Sequence, residues 1–314
     1  AVASLGLLSA CSSAPDKPQP APLPAVSGTF KLQKAWTNQI GEVSTPLMAS
    51  VHGQQVAVAS SLGQLALIDA ANGRDVWRLN LGAPIQAGVG GDGQRFDGAT
   101  GQKLWTQQRP GDPLVLRQAG LLMPVGDQLL VGWGGRLASL NPLTGTVRWE
   151  TLVGSTRGTN EVERLVDLVA GASRVGNSVC VRSFQTSVTC VDATNGRMAW
   201  SRPANGHQGL DGDAQTLWGV ESDGKLQAWQ RTSGAPLWTQ EALRFRGLSL
   251  PLAWGQALVV GDQEGWVHAL SPQNGQPLQR IGTDGSAITG RPVAVGQTLV
   301  VVTRTGGVFG FRPE

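Results

Sequence analysis

The residues of this chain that could carry chemistry are few and far apart. His52, His207 and His268 fall in separate segments with no ligand spacing between them, so structural or surface roles are expected and no metal site is predicted. Gly88-Val89-Gly90-Gly91-Asp92-Gly93 is glycine-rich, yet it follows no strand–helix pattern and does not read as a phosphate cradle. A Gly-X-Ser-X-Gly nucleophile turn is absent. Most Asp and Glu residues stand at turns, where such side chains cap the backbone. No catalytic residue and no cofactor are predicted. A net charge of +3 without any Lys/Arg run gives no support to nucleic-acid binding.

Chemistry of other kinds is suggested at four places. Leu8-Ser9-Ala10-Cys11 resembles the lipobox of bacterial lipoproteins, in which the cysteine is lipidated and becomes the mature N-terminus. Residues 1–10 then read as the remainder of a signal peptide whose basic region is missing, and 11–27 as a lipidated Cys and disordered tether rich in Pro, Ala and Ser. Membrane attachment would be through the lipid alone. Cys180 and Cys190 lie in adjacent strand signatures about Gln185. A hairpin symmetric about Gln185 places them opposite each other, which leaves a cross-strand disulfide and two buried thiols both open. Asp112-Pro113-Leu114-Val115-Leu116-Arg117 sets apolar residues beside an Arg, the composition of an interface anchor or of ordinary blade-entry packing. An insertion of about ten residues, measured against a repeat of roughly 40, falls in the stretch Gly154 to Asp167.

The elements that must position these residues are announced by a repeated phrase. A polar residue is followed four positions later by Gly and four later again by Trp. The copies are Asp69–Gly73–Trp77, Asp97–Gly101–Trp105, Asn141–Gly145–Trp149, Asp192–Gly196–Trp200 and Gln230–Gly234–Trp238, with Ser271–Gly275–Gln279 lacking the Trp. Before each polar residue runs a strand with period-2 alternation, such as Ser187 to Asp192. The Gly closes a tight turn and the Trp ends a second short strand. Further upstream lie apolar runs such as Leu129-Leu130-Val131 and Leu258-Val259-Val260. Units of about 40 residues holding three or four short strands indicate an all-β protein, a β-propeller of four-stranded antiparallel blades. The Trp residues are expected to pack between neighbouring blades, each N–H bonded to a backbone group.

The two ends should close the ring. The last unit stops at Gly306-Gly307-Val308-Phe309-Gly310-Phe311, and Phe30 to Trp36 supplies the strand it lacks, so residues 28–314 form one propeller domain of seven visible units. The Gly-to-Gly spacings are 28, 44, 51, 38 and 41. The 28-residue spacing between Gly73 and Gly101 cannot hold four strands. The shortfall is about 13 residues, or about 54 if a further blade is also missing.

The repeats, lipobox and tether together resemble the outer-membrane protein assembly factor BamB family, over nearly the whole chain. The likeness is tightest from Leu114 onward, including Glu161-Val162-Glu163-Arg164-Leu165-Val166-Asp167 and Val260-Gly261-Asp262-Gln263-Glu264-Gly265. The resemblance implies an eight-bladed propeller that is not an enzyme, held at the periplasmic face of the outer membrane by its lipid. It implies binding to the POTRA domains of BamA and to other subunits of the β-barrel assembly machine. It also implies help in inserting β-barrel proteins, with unfolded outer-membrane proteins as further partners. The family's docking site is a Leu-x-Leu-Arg segment plus two Asp residues two apart. Leu114, Leu116, Arg117 and Asp167 match it, whereas Val169 stands at the second Asp position. The alternative reading is a pyrroloquinoline-quinone-dependent dehydrogenase, which shares the repeat. Many of those enzymes carry an adjacent-Cys pair near the cofactor, which this chain lacks.

Overall fold

The computed structural model describes residues 18–45, 47–85, 93–96, 103–107, 120–154, 166–288 and 290–314, the side chains of 93–96 and 107 excepted. Six four-stranded antiparallel sheets and one two-stranded sheet follow one another along the chain. We number these blades 1 (residues 50–80), 2 (93–107), 3 (122–152), 4 (173–203), 5 (210–240), 6 (252–282) and 7 (293–313 with 32–39). Within blades 1 and 3 to 6 the strands meander, each hydrogen-bonded to the next in sequence. Blade 7 takes its outermost strand from the other end of the chain: Leu32–Gln39 pairs antiparallel with Gly307–Pro313, Trp36 opposite Gly310. This is the expected closure, and the fold is the expected β-propeller.

The core is divided among the blade interfaces. Five buried clusters lie between blades 3 and 4, 4 and 5, 5 and 6, 6 and 7, and 7 and 1. Leu130 and Leu217 are wholly buried in two of them, and each such side chain contributes about 1.5–3 kcal/mol by leaving water. Strands inside the ring are therefore buried on both faces. Ser187–Asp192 of blade 4 is buried at every residue but Asp192.

The repeated phrase has two functions in this packing. In each copy whose turn is described, the Gly N–H donates to the polar residue's carbonyl at 2.8 Å, closing the turn. That Gly has positive φ, 74° at Gly73 and 69° at Gly234. It is also the platform for the Trp of the preceding blade. A Cβ on Gly73 would lie 2.5 Å from the Trp36 ring, and Trp105, Trp149, Trp200 and Trp238 cover Gly145, Gly196, Gly234 and Gly275 in the same way. Each indole N–H donates to a backbone carbonyl of that next turn: Trp36 to Ala70, Trp105 to Pro142, Trp149 to Ala193, Trp200 to Arg231 and Trp238 to Pro272. Sequence reasoning assigned the Gly to the turn alone. The close approach of an indole from another blade is a tertiary demand.

The N-terminal segment differs from the sequence expectation. From Ala21 onward the stretch read as part of a disordered tether is held against blade 6. Ala21 N–H donates to Arg244 O, and the N–H groups of Ser27 and Gly28 donate to Pro277 and Leu278. Arg246 and Arg280 donate to the carbonyls of Ala21 and Pro24 at 2.9 and 3.0 Å. Extended chain with free carbonyls suits this arrangement, because buried arginines need acceptors. Arg246 also binds Asp262 at 2.8 Å and Glu264, and His268 Nε2 lies 2.9 Å from the same Asp262. Burial raises the Asp262 carboxyl, but hydrogen bonds from His268, Trp266 N–H and Arg246 outweigh it and hold it below the usual carboxylate range.

Candidate partner-docking site

One end of the ring carries the hairpins between the second and third strands together with the connections from blade to blade. Gly120 and Leu121 lead into blade 3 and residues 166–172 into blade 4, the described ends of two such connections. An isolated bridge joins Gly120 to Val169, and a second joins Leu168 to Ser183. The first connection therefore ends beside the end of the second.

Three glycines let the second connection lie close to the blades. A side chain on Gly132 would meet Leu168, one on Gly135 would meet Val166, and one on Gly154 would meet Ser183. Val166, Leu168 and Val169 are buried, and Asp167 between them is half-buried. The segment is pinned to the blades by its apolar side chains, with Asp167 alone of the four turned partly outward. Phe184 N–H donates to Asp167 O at 2.8 Å, and Val169 N–H to Arg182 O at 3.1 Å. The Asp167 carboxylate accepts from Gly134 N–H at 3.0 Å, at the tip of the hairpin between the second and third strands of blade 3. It is thus oriented by backbone at the connection end.

Below it lies a buried ion pair. Arg182 is fully buried and donates to Glu221 at 3.0 Å, and Asn205 N–H donates to the same carboxylate. Burial pulls the guanidinium below its ordinary value, opposed by Glu221. Burial and the nearby Arg182 charge likewise lower the pKa of His207.

The predicted site residues divide as follows. Asp167 stands at the connection end. Leu114, Leu116 and Arg117 lie outside the described residues, as do Cys11 and most of the insertion. Val169, at the family's second Asp position, is only 3% exposed. A carboxylate there would be desolvated beside the backbone of Arg182 and Gly120, so of the two expected acidic positions only Asp167 offers a carboxylate. Cys180 and Cys190 face each other directly in blade 4, their Cα atoms 4.0 Å apart and their sulfurs at bonding distance. They are buried in the interface of blades 4 and 5, remote in role from the connection end. Sequence reasoning missed Gly120, Gly134 and the Gly120–Val169 bridge. Among the described residues no group of three or more His, Cys, Asp or Glu side chains could hold a metal ion.

A ring of meandering antiparallel blades, closed by pairing of the first and last strands, defines a β-propeller. The sequence profile described as outer membrane protein assembly factor BamB matches residues 31–240. The chain is 32% identical to the outer membrane protein assembly factor BamB of Burkholderia pseudomallei, covering 99% of this chain and 96% of the relative. It is 28% identical to that of Bordetella pertussis over the same shares. The crystal structure of BamB from Moraxella catarrhalis matches with a TM-score of 0.68 and 24% identity, over 94% of this chain and 96% of that one, a likeness of fold. The chain belongs to the outer membrane protein assembly factor BamB family. Its alignment with the Burkholderia relative runs to 367 positions against 314 residues here, which leaves about 53 positions of the relative without a counterpart.

Proposed function

We propose that this chain is a scaffold of the outer-membrane β-barrel assembly machinery and not an enzyme. It associates with the outer membrane and assists the assembly of β-barrel proteins there. Membership of the BamB family supports this role, since the relatives are named as assembly factors.

The finer reading is that Leu114, Leu116, Arg117 and Asp167 dock the POTRA domains of BamA, with the chain anchored through a lipid on Cys11 at the periplasmic face. What supports this reading is the Gly120–Val169 bridge, which joins a residue three positions after Arg117 in sequence to one two positions after Asp167. Leu114 and Leu116 would bury apolar surface on the partner, and Arg117 would supply a directional fork of donors. Asp167 adds an acceptor already set in place by Gly134.

The test is a pull-down of BamA from a membrane extract by the full chain. Arg117→Glu should lower capture sharply while the far-ultraviolet spectrum keeps its β signature. Undiminished capture would remove Arg117 from the interface.

A further inference from the structure

The N-terminal segment held against blade 6 is buried with a period of three. Pro20 and Ala21, and again Leu23 and Pro24, are half-buried, whereas Gln19, Pro22 and Ala25 are exposed. Three residues per turn is the repeat of a polyproline II helix, not of a strand or an α-helix. The sequence Pro18-Gln19-Pro20-Ala21-Pro22-Leu23-Pro24-Ala25 favours that form. Proline at alternate positions fixes φ and keeps the residue before it out of the α region. The carbonyls that arginines of blade 6 and its entry connection bind, those of Ala21 and Pro24, are likewise three residues apart. In a polyproline II helix they fall on one side.

The receiving groove is held in shape by bonds that do not involve this strap. Arg246 is buried; its Nε donates to Asp262 at 2.8 Å and its Nη2 to Glu264, which aims Nη1 at Ala21 O. Asp262 accepts from the N–H groups of Glu264 and Trp266 and lies 2.9 Å from His268 Nε2. Arg280 lies over the Trp266 ring, 5.3 Å from its centroid, and donates to Pro24 O. Fixed donors aimed at carbonyls beside an aromatic ring suit a polyproline II ligand, whose backbone makes no bonds of its own.

We propose that blade 6 carries a recognition groove for polyproline II chain, filled in cis by residues 20–24 and open to a Pro-rich segment in trans when the strap leaves. Arg246 and Arg280 take carbonyls, so the ligand is an uncharged, proline-rich peptide. None of the bonds among Arg246, Asp262, Glu264 and His268 passes through the strap, so the groove outlasts its departure. The strap is then the groove's own competitor, a contact that keeps the site closed until it is displaced. The site uses blade 6 and its entry connection and needs neither Asp167 nor a lipid on Cys11. It therefore stands or falls apart from the docking reading.

The test uses the full chain and its triple variant Pro20→Gly, Pro22→Gly, Pro24→Gly. The variant should release the strap, with faster amide exchange at Ala21, Ser27 and Gly28 and an unchanged far-ultraviolet spectrum. The probe is a dye-labelled peptide of the sequence Pro18 to Val26, followed by fluorescence anisotropy. It should bind the triple variant saturably. It should bind the parent at least about tenfold more weakly, because the tethered strap competes at an effective concentration of about millimolar. A peptide with glycine for every proline should bind the triple variant at least about tenfold more weakly, having no preformed helix. Adding Arg280→Ala to the triple variant should weaken the proline peptide about tenfold through the lost charged donor. Arg280→Lys, which lacks the planar fork, is the second variant should that chain unfold. Unchanged exchange or absence of saturable binding in the triple variant would overturn the proposal. So would equal binding by the parent, by the glycine peptide or after substitution of Arg280.

Discussion

Trp200 of blade 4 lies flat over Gly234 of blade 5, and its indole N–H donates to Arg231 O at 2.7 Å. A Cβ on Gly234 would come within 2.5 Å of the indole ring, at a φ of 69°. The two faults of a side chain here are separable. Gly176 has a φ of 57° but nothing within 4 Å of a built Cβ. Gly176→Ala should cost about 1 kcal/mol for the left-handed backbone alone. Gly234→Ala should cost about 2–4 kcal/mol, because overpacking adds to strain. Urea unfolding of the two variants checks the difference.

The indole side of the same joint offers a second comparison. Trp200 is 7% exposed and Trp77 is 42% exposed. Trp200→Ala should cost about 3–5 kcal/mol, as for a buried aromatic. Trp77→Ala should cost on the order of 1 kcal/mol, since most of its ring already meets water. Equal losses would mean that Trp77 is as enclosed as Trp200.

Much of this architecture was legible in the sequence because it depends on local periodicity. The Asp–Gly–Trp phrase marks a turn between two short strands, and Trp36 could be matched to the unit it completes. The short spacing before Gly101 was read as too short for four strands, and the described sheet there has two. The site was less legible. Leu114, Leu116 and Arg117 drew notice through composition, but Asp167 was singled out by the family resemblance. The Gly120–Val169 bridge and the Gly134 contact join residues far apart in sequence, and no local pattern encodes them. The ordered strap from Ala21 to Gly28 was hidden for a similar reason. Its Pro-rich composition forbids helix and sheet, yet arginines of blade 6 and its entry connection bind its carbonyls.

That strap can be released by substitution. Arg246→Ala removes the donor to Ala21 O and leaves Asp262, wholly buried, without its arginine. Breaking one partner of a buried pair costs about 3–5 kcal/mol. Arg280→Ala removes only the bond to Pro24 O and the stacking over Trp266. It should leave global stability nearly unchanged while speeding amide exchange at Ser27 and Gly28. Hydrogen-exchange mass spectrometry separates the two effects.

The cysteines of blade 4 give a stability test. They are 10 residues apart in sequence and face each other across one hairpin. A bond closing so short a loop should contribute about 2–3 kcal/mol by limiting the unfolded chain. The double variant Cys180→Ala, Cys190→Ala should lose that amount in urea titration. Intact-mass analysis of the unfolded protein after thiol alkylation should find no modified Cys180 or Cys190 until a reductant is added.

His207 sets a pH dependence whose sign follows from its surroundings. Burial and the Arg182 charge lower its pKa in the folded state. The unfolded chain therefore binds the proton more readily, and folding stability rises with pH between the folded and unfolded values. The contribution is fully present above the ordinary histidine pKa of about 6.5 and is lost as pH falls through the folded value. Asp262 and Asp284, also lowered, act in the same direction, but only once pH approaches the carboxylate range. The melting temperature should therefore drop between pH 7 and pH 5, and His207→Asn should flatten that drop. A variant whose melting temperature fell as steeply as the parent's would show that the proton is taken up elsewhere.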